Sequence, residues 1–416
     1  MRVFKFGGAS VKSAEAVRNV GEIISGYQGE KIVVVISAMG KTTNALEKIL
    51  MADNSNIELL ISDVEVFHND IIKKLFPDSE SKVYRRVNTV YAEMRSFISN
   101  NDMQTNKSYA HFVGFGEILS TIIINQYLNL IGIKSIWCDA GDLIITENKY
   151  VEAKVQWNKS IAKIKDKITL LFKDNDIVIS QGFIARTESG ECSTLGREGS
   201  DYSAAIFANA INSEDLTIWK DVPGLLNADP KFFDKTYKLD YISYRETIEL
   251  AYYGASIIHP KTIQPLKKKS IPLYIKSFLN PNDKGTTVQQ EAFADSMISS
   301  YIFKKNQVIV SISARDFSFI AEDSLSLIFK QLNSYNLKVN LMQNSAISFS
   351  ICLDNNKELV HSFIADMQKI FKVRYNENME LITIQNYNQD VIDELIGNRE
   401  VFLEQKSRTT VQILVR

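Results

Sequence analysis

The sequence predicts an α/β protein with a parallel-rich central sheet between helix layers, followed by a smaller α+β region. Residues 3–6 form a short apolar strand that runs through Gly7-Gly8 into a helical pattern, and the β-branched run Ile32–Ile36 follows. Strand, glycine loop, helix and strand in this order are typical of a parallel sheet flanked by helices. After Ile271, the turn-forming residues proline, asparagine and glycine recur up to Gly285, which is typical of a linker. Shorter strands and helices follow this stretch.

The remaining elements of the first region follow from periodicity and turn signals. Apolar and charged residues alternate at helical spacing over residues 53–100, which predicts an inserted helical layer. The turn Thr187-Glu188-Ser189-Gly190 predicts a hairpin, and Ser243-Tyr244-Arg245-Glu246 is a capping box that opens a helix ending near Gly254. Further predicted elements are a helix near residue 44, the helix Phe115–Leu130, and the strands Ser135–Cys138 and Ile177–Gln181.

The C-terminal region has the element order βαββαβ of a small ferredoxin-like domain. We place the boundary between the two regions near residue 275. The predicted strands cover residues 308–313, 338–342, 348–353 and 381–384, and the predicted helices cover residues 325–332 and 361–370.

Composition excludes several classes of protein. The 416 residues are 45% apolar, which is enough for two or three domains, and the net charge of −1 gives no basic field for nucleic acid or anionic lipid. Cys138, Cys192 and Cys352 fit neither a disulfide framework nor a zinc site, so we expect a reducing, cytoplasmic location. No apolar run approaches the ~18 residues that span a bilayer.

Several catalytic motifs are absent from the sequence. Gly40-Lys41-Thr42 looks like the end of a Walker A loop, but Val35 stands where that loop needs glycine. There is no H-E-x-x-H motif, and the four histidines lie far apart. Hydrolase chemistry based on a serine–histidine pair therefore has no support.

The stretch Lys5-Phe6-Gly7-Gly8-Ala9-Ser10 is the first candidate site. An unpaired lysine at the end of a buried strand is costly, and a phosphate would pair it. Two glycines let backbone N–H groups approach an anion, and the following helix presents its positive dipole end. The alternative is a simple strand-to-helix turn with an exposed lysine.

Two later stretches also combine charge with glycine. In Gly196-Arg197-Glu198-Gly199-Ser200-Asp201, Arg197 can hold a carboxylate through two hydrogen bonds, although Ser200 and Asp201 are also ordinary helix N-cap residues. Trp219-Lys220-Asp221-Val222-Pro223-Gly224 continues to Asp229-Pro230-Lys231. By itself this is a plain loop, but at the carboxyl end of a parallel strand it lies where α/β sheets bind ligands.

In order along the chain, these stretches resemble the aspartokinases of the amino-acid kinase family. The resemblance spans residues 1–290. In the first half of the match, residues 5–11 resemble K-F-G-G-T-S-V, residues 34–44 resemble a strand followed by S-A-x-G-x-T-x, and residues 116–120 resemble G-E-x-x-S. In the second half, residues 195–205 resemble L-G-R-G-G-S-D-x-S-A-A and residues 219–231 resemble D-V-x-G-x-x-x-x-D-P-R. Residues 244–260 resemble the family's last kinase helix and H-P turn.

The resemblance implies a role for each matching residue, with ATP and Mg²⁺ as the nucleotide and metal. Asp201 would organise the catalytic Lys5. The implied ATP-binding residues are Lys5, Gly7, Gly8, Ser10, Lys220, Asp221 and Lys231, and the implied substrate-binding residues are Thr43, Glu117, Arg197 and Ser200.

The implied reaction converts ATP and L-aspartate into ADP and 4-phospho-L-aspartate, the first step toward lysine, threonine and methionine. A carboxylate with a pKa of about 3.9 is ionised at neutral pH, so no general base is needed and Asp201 would orient Lys5. Glu117 and Arg197 suit the free ammonium and carboxylate of aspartate. The alternatives are a glutamate or acetylglutamate kinase, and a catalytically impaired amino-acid sensor.

Four residues depart from the family pattern and bear on nucleotide binding. Ala9 stands where threonine is usual, and Glu198 replaces a glycine, so its carboxylate must point away from anionic ligands. Leu226 replaces a tyrosine of some relatives, and Ser256 replaces a lysine that contacts the nucleotide in many.

Residues 300–416 resemble the paired ACT regions of aspartokinases. We expect a catalytic domain over 1–275, a linker over 276–305, one ACT domain over 306–376 and a shortened ACT-like segment over 377–416. In the family, ACT units pair between subunits and bind an end-product amino acid, which implies a homodimer or larger homo-oligomer with an effector near residues 340–346. Asn340 and Ala346 replace acids of lysine-sensitive relatives, so we expect weak or absent lysine inhibition. A purely structural dimerisation module is the alternative.

Overall fold

The computed structural model describes residues 1–233, 235–255, 258–290, 298–316 and 318–416, and the chain divides into two compact units. The first unit comprises Met1–Leu225, Lys238–Ile248 and Ser256–Ser296. The second unit comprises Leu226–Tyr237, Glu249–Ala255 and Met297–Arg416.

The first unit is built on a mostly parallel sheet. Its strands are β1 (Arg2–Phe6), β2 (Ile32–Ile36), β3 (Ser135–Cys138), β4 (Ile145–Thr146), β5 (Ile177–Gln181), β6 (Ile184–Thr187), β7 (Cys192–Thr194), β8 (Leu216–Lys220), β9 (Tyr241–Ser243), β10 (Leu273–Ser277) and β11 (Thr286–Gln289). The main sheet has the order β3-β5-β2-β1-β8-β10-β11-β9, and β4-β6-β7 form a small second sheet. Every pair in the main sheet is parallel except β10 with β11.

Helices accompany this sheet along the chain. They are α1 (Ala14–Ser25), α2 (Thr42–Leu50), α3 (Asn54–Leu75), α4 (Lys82–Asn100), α5 (Asn106–Val113), α6 (Phe115–Leu130), α7 (Trp157–Leu171), α8 (Gly199–Ile211), α9 (Tyr244–Tyr253) and α10 (Pro260–Lys268). The predicted parallel-rich α/β fold is confirmed, and the inserted layer predicted over residues 53–100 corresponds to α3 and α4.

Local sequence explains where these elements begin. Strands β1 and β2 lie side by side in the middle of the sheet, and all five residues of β2 are buried, as their β-branched sequence predicts. Helix α1 begins after Ser13, whose side chain accepts a hydrogen bond from the Ala16 N–H. At α9 the Ser243 and Glu246 side chains each accept the other's backbone N–H, which is the predicted capping box.

The second unit contains a six-stranded antiparallel sheet with the order β13-β14-β12-β15-β17-β16. Its elements are β12 (Ser300–Ser313), α11 (Glu322–Ser334), β13 (Val339–Asn344), β14 (Ser348–Asp354), α12 (Lys357–Ile370), β15 (Lys372–Gln385), α13 (Gln389–Ile396), β16 (Val401–Lys406) and β17 (Thr410–Val415). From β12 to β15 the order is the predicted βαββαβ. The long strands β12 and β15 pair along their length, so the sheet continues across the expected division at residue 376.

The stretch 276–305, predicted as a linker, contributes to both sheets. Strand β11 pairs with β10 in the first unit, and β12 already begins at Ser300. The sequence analysis missed β11 because it is short and lies between turn-forming residues. Helix α9 also contributes residues to both units. The domain limits given from sequence stay a prediction.

Candidate functional site

A cavity of about 590 Å³ lies where four neighbouring strands of the first unit end. Residues at or just beyond the carboxyl ends of β1, β2, β5 and β8 line it, together with the first turns of α2, α6 and α8. The carboxyl edge of a parallel sheet is where α/β proteins bind ligands. The predicted site residues in its wall are Lys5, Gly8, Thr43, Glu117, Arg197, Ser200, Asp201 and Lys220.

Lys5 and Asp201 form a buried ion pair at the centre of this cavity. Lys5 Nζ lies 2.6 Å from Asp201 Oδ1, and Lys220 Nζ lies 3.9 Å from Asp201 Oδ2. Burial alone would raise the pKa of Asp201, but the charges of Lys5 and Lys220 outweigh burial and hold that pKa below its usual value. Two ammonium groups thus share one carboxylate, which leaves net positive charge for an anionic ligand.

This ion pair decides between two interpretations of the sequence. Lys5 is 8% exposed, so the alternative of an exposed lysine at a simple turn is wrong. Helix α8 begins at Gly199 with Glu198 as its N-cap, so Ser200 and Asp201 do not serve as the cap residue. Asp201 instead lies in the first turn of α8, where its side chain reaches Lys5.

The turn after β1 packs against the turn after β2, backbone to backbone. Gly40 N–H donates to Gly8 O at 3.0 Å, and a Cβ on Gly8 would lie 2.8 Å from the carbonyl oxygens of Ala38 and Gly40. Only glycine fits this approach. Gly7 and Ser10 belong to the same turn but not to the cavity wall, and the buried Ser10 hydroxyl donates to Trp219 O at 3.4 Å.

Glu117 is a buried carboxyl in the first turn of α6. Its Oε1 accepts a hydrogen bond from Ala38 N–H at 3.3 Å, and its Oε2 has no hydrogen-bond partner among the described residues. Burial raises the pKa of Glu117 to about 8. At neutral pH the carboxyl is therefore mostly protonated, and a cationic ligand group would favour its ionised form.

Arg197 and Glu198 are adjacent in sequence but do not pair with each other. Arg197 is exposed in the cavity wall, and no residue in the described ranges pairs with its guanidinium. The Glu198 carboxylate accepts a hydrogen bond from His259 N–H at 2.8 Å, so it is held by backbone and not by Arg197. Glu198 has φ 53° and ψ 28°, a left-handed conformation that favours glycine, which is the family's residue here.

The structure adds two cavity residues that the sequence analysis missed. Tyr109, in α5, donates its hydroxyl hydrogen to Glu47 Oε1 at 2.7 Å, and both side chains line the cavity. Burial and the carboxylates of Glu47 and Glu117 raise the pKa of Tyr109. Glu47 follows Thr43 by four residues in α2, and this helical spacing was the available signal. Nothing in the sequence links Glu47 to Tyr109.

Several predicted nucleotide-site residues lie outside the cavity wall. Asp221 is exposed directly after β8, and Ala9 is exposed in the turn after β1. Lys231 and Leu226 belong to the second unit, where Lys231 N–H donates to Asp229 Oδ1 at 2.9 Å. Ser256 lies outside the described residues. The predicted roles of these residues stay predictions.

The described wall of the cavity contains three cationic side chains, several carboxyl groups and no histidine. Lys5, Lys220 and Arg197 can neutralise anions, whereas Glu117 and Glu47 can accept a cation. No cluster of three or more histidine, cysteine, aspartate or glutamate residues that could hold a metal ion exists in the ranges described. None of the helices in those ranges is long and apolar enough to cross a membrane.

Comparison with known proteins shows the family of the chain. A model of the amino acid kinase family matches residues 1–277. Aspartokinase 1 of Arabidopsis thaliana chloroplasts is 30% identical over 413 residues, covering 95% of this chain and 70% of the relative. The lysine-sensitive aspartokinase 3 of Escherichia coli is 26% identical over 403 residues, covering 92% and 86%.

Solved structures show the same fold. E. coli aspartokinase III with lysine and aspartate has a TM-score of 0.85 and 22% identity, and the match covers 100% of this chain and 96% of that chain. The same enzyme with aspartate and ADP has a TM-score of 0.83 and 21% identity over the same shares. From the family match and these relatives, the chain belongs to the amino acid kinase family and, within that family, to the aspartokinases.

Proposed function

We propose that this protein is an aspartate kinase, which transfers the γ-phosphoryl group of ATP to the side-chain carboxylate of L-aspartate. The products are ADP and 4-phospho-L-aspartate. The observation that carries the proposal is one cavity in which the Lys5–Asp201–Lys220 cluster adjoins both Glu117 and Arg197. This supports a site in which cations bind the phosphoryl groups while a carboxyl group and a guanidinium bind the amino acid.

The phosphate end of the cavity is formed by Lys5, Lys220 and the turn at Gly8. A Cβ at Gly8 would clash with the turn after β2, so the glycine allows the two turns that shape this end to approach each other. Mg²⁺ bound with ATP supplies further positive charge at the phosphates. The phosphate oxygens of ATP would be its main ligands, because Asp201 already pairs with Lys5 and Lys220.

The amino-acid end is formed by Glu117, Arg197, Thr43 and Ser200. Arg197 is free of acidic partners in the described ranges and can bind the α-carboxylate with two parallel hydrogen bonds. Glu117 Oε2 has no hydrogen-bond partner in the described part of the chain and can accept the α-ammonium group. Two structures of E. coli aspartokinase III contain aspartate. This supports aspartate as the substrate of the present chain.

No general base is required for this reaction. A carboxylate nucleophile is ionised at neutral pH, so the residues of the chain need only position it and neutralise charge on the transferred group. Asp201 orients Lys5 through their 2.6 Å contact and takes no proton, because neighbouring lysines keep its pKa low. Lys5 in turn holds positive charge where phosphoryl oxygens lie in the proposed complex.

An ADP-release assay tests the substrate. We expect turnover with L-aspartate and a lower kcat/KM with L-glutamate, whose longer side chain misplaces the nucleophilic carboxylate. With N-acetylglutamate we expect kcat/KM at least about tenfold lower, because its acylated amine also leaves Glu117 without a cationic partner. Comparable activity on N-acetylglutamate and aspartate would contradict the assignment. Absence of turnover on all three, with intact aspartate binding, would favour the amino-acid sensor.

Regulation by lysine is expected to be weak, and the second unit supports this. The Asn340 amide donates to Gln307 Oε1 at 2.8 Å and to Asp354 Oδ1 at 3.0 Å, and its oxygen accepts from Lys304 Nζ at 2.8 Å. Both amide hydrogens of Asn340 and one side of its oxygen are therefore already bound by neighbours within the unit. The predicted homo-oligomer, the effector near residues 340–346 and the cytoplasmic location stay predictions.

A further inference from the structure

The Tyr109–Glu47 pair forms an acidic wall of the cavity that the reaction outlined above does not use. Glu47 lies one helical turn after Thr43, on the same face of α2, and Tyr109 donates to Glu47 Oε1 at 2.7 Å. Both side chains are half-buried and reach the cavity that holds Lys5, Glu117 and Arg197.

The surroundings of this pair assign it to the amino-acid end of the cavity. Helices α2, α5 and α6, which carry Glu47, Tyr109 and Glu117, pack against one another, and all three side chains line the cavity. Negative charge there would repel ATP phosphates, which makes this end unsuitable for the nucleotide. The lysines that flank Glu47 in sequence, Lys41 and Lys48, are exposed and are not in the cavity wall.

Orientation by a tyrosine hydroxyl gives Glu47 a specific function. One carboxylate oxygen is fixed by Tyr109, while the other side of the group remains available to a ligand. Because Glu47 is only half-buried, it can present negative charge without the desolvation that the fully buried Glu117 bears. An ammonium group between the two acids would have a partner on each side.

We propose that Glu47, oriented by Tyr109, is a second carboxylate for the substrate's α-ammonium group and makes the cavity select free amino acids over amine-blocked or amine-free dicarboxylates. This inference rests on the proposed aspartate kinase function. It adds a specificity-determining residue to that site and leaves the phosphate end unchanged.

The test compares two ligands that differ in the amine. Calorimetry without nucleotide would measure the Kd of L-aspartate and of succinate, which has both carboxylates but no ammonium group. In Glu47→Gln we expect aspartate to bind about tenfold more weakly, because a hydrogen bond to a charged group is lost, while succinate binding is unchanged or tighter. Tyr109→Phe should weaken aspartate binding in the same direction and by less.

Kinetics provide a second readout on the same variants. Glu47→Gln should raise the KM for aspartate about tenfold, with kcat and the KM for ATP within about twofold of wild type. Asp366→Asn is the matched control, because Asp366 also accepts a tyrosine hydroxyl, from Tyr335, but belongs to the second unit. The control should bind aspartate as wild type does.

Other outcomes would overturn the inference. Equal loss of aspartate and succinate binding would mean that Glu47 only packs the site, and a changed Mg²⁺ requirement with an unchanged KM for aspartate would mean a metal role. Unaltered aspartate binding in Glu47→Gln removes the residue from recognition. If the wild-type protein binds and phosphorylates no aspartate, the proposed function itself fails, and this result is separate from any behaviour of the variants.

Discussion

Lys5 must remain charged in the site while it is only 8% exposed. Its contact with Asp201 makes this possible in the free protein, and a phosphoryl group would share the same charge in the complex. Lys5→Ala should lower kcat by about 10²–10³-fold, the range seen when one preorganised charge-stabilising group is removed. The KM for aspartate should change much less.

Folding must be checked in this variant, because among the described residues Asp201 would retain Lys220, at 3.9 Å, as its only charged partner. A lower melting temperature is expected, since a buried carboxylate loses its closest counter-ion. The double variant Lys5→Met with Asp201→Asn removes both charges and should recover part of that stability without recovering turnover. Near-normal turnover in Lys5→Ala would exclude Lys5 from the mechanism.

Glu117 predicts a pH dependence of substrate binding. Its carboxyl is neutral below a pKa of about 8, and the aspartate ammonium group requires the ionised form, so aspartate binding should strengthen as pH rises through 8. In Glu117→Gln, binding should be weaker by at least about tenfold and should lack this rise. Titration calorimetry between pH 6 and pH 9 would measure it; the same pH profile in both proteins would contradict the assignment.

The Glu117 carboxyl also makes the folding stability depend on pH: as pH rises, aspartate binding should strengthen but the folded protein should become less stable. Its pKa is raised in the folded protein, so its contribution to stability is fully present below the ordinary value of 4.5 and is lost as pH rises through about 8. Glu117→Gln does not titrate and should melt at a higher temperature than wild type at pH 8, with little difference at pH 5. Thermal unfolding at the two pH values would measure this; an equal difference at both would exclude a buried titration.

At the scale of elements, the turns after β1 and β2 depend on glycine for their close approach. Gly8→Ala would place a Cβ 2.8 Å from two carbonyl oxygens, so one turn must move and the phosphate end must change shape. We expect the KM for ATP to rise at least about tenfold, with a smaller change in the KM for aspartate. Gly26→Ala is the control, because Gly26 has φ −66°, ends α1 and lies outside the cavity wall. An unchanged KM for ATP in Gly8→Ala would show that the turn does not shape the nucleotide site.

The sequence predicted elements better where the signal is local. The β-branched run of β2 and the capping box of α9 each lie within a few residues, and both were identified. Strand β11 was missed because four residues between turns are too few to show a period-2 pattern. This segment is a strand because it pairs with β10, and that contact cannot be read from the sequence. The Lys5–Asp201 contact joins residues 196 positions apart, and only the resemblance to relatives related the two before the structure was available.

The Tyr109–Glu47 pair shows why the rest of the site could not be predicted. Its members are 62 residues apart and lie on separate helices, α5 and α2, whose contact is a tertiary property. Helical spacing relates Glu47 to Thr43, but a glutamate one turn from a site residue is most often on a solvated face. Burial and a specific partner distinguish Glu47 from such a residue, and both are properties of the folded chain.

At the scale of the whole molecule, the second unit raises the question of feedback control. The resemblance to lysine-sensitive relatives implies acids at the positions of Asn340 and Ala346, whereas in this chain Lys304 Nζ donates to the side-chain oxygen of Asn340. An effector's ammonium group would therefore find an internal lysine in place of a free carboxylate. Because like charges repel, Lys304 opposes binding of a second cation at this position.

We therefore expect lysine to inhibit the kinase weakly or not at all, even at millimolar concentration. Asn340→Asp alone should not restore sensitivity to lysine. Burial lowers the pKa of Lys304, so its ammonium group gains from a nearby carboxylate. The new carboxylate would therefore pair with Lys304 and not with the effector. Asn340→Asp combined with Lys304→Met removes that competitor and should increase lysine inhibition relative to either single change. The ADP-release assay with increasing lysine would measure all four proteins. Strong inhibition of the wild type by submillimolar lysine would show that the effector is recognised by groups other than Asn340.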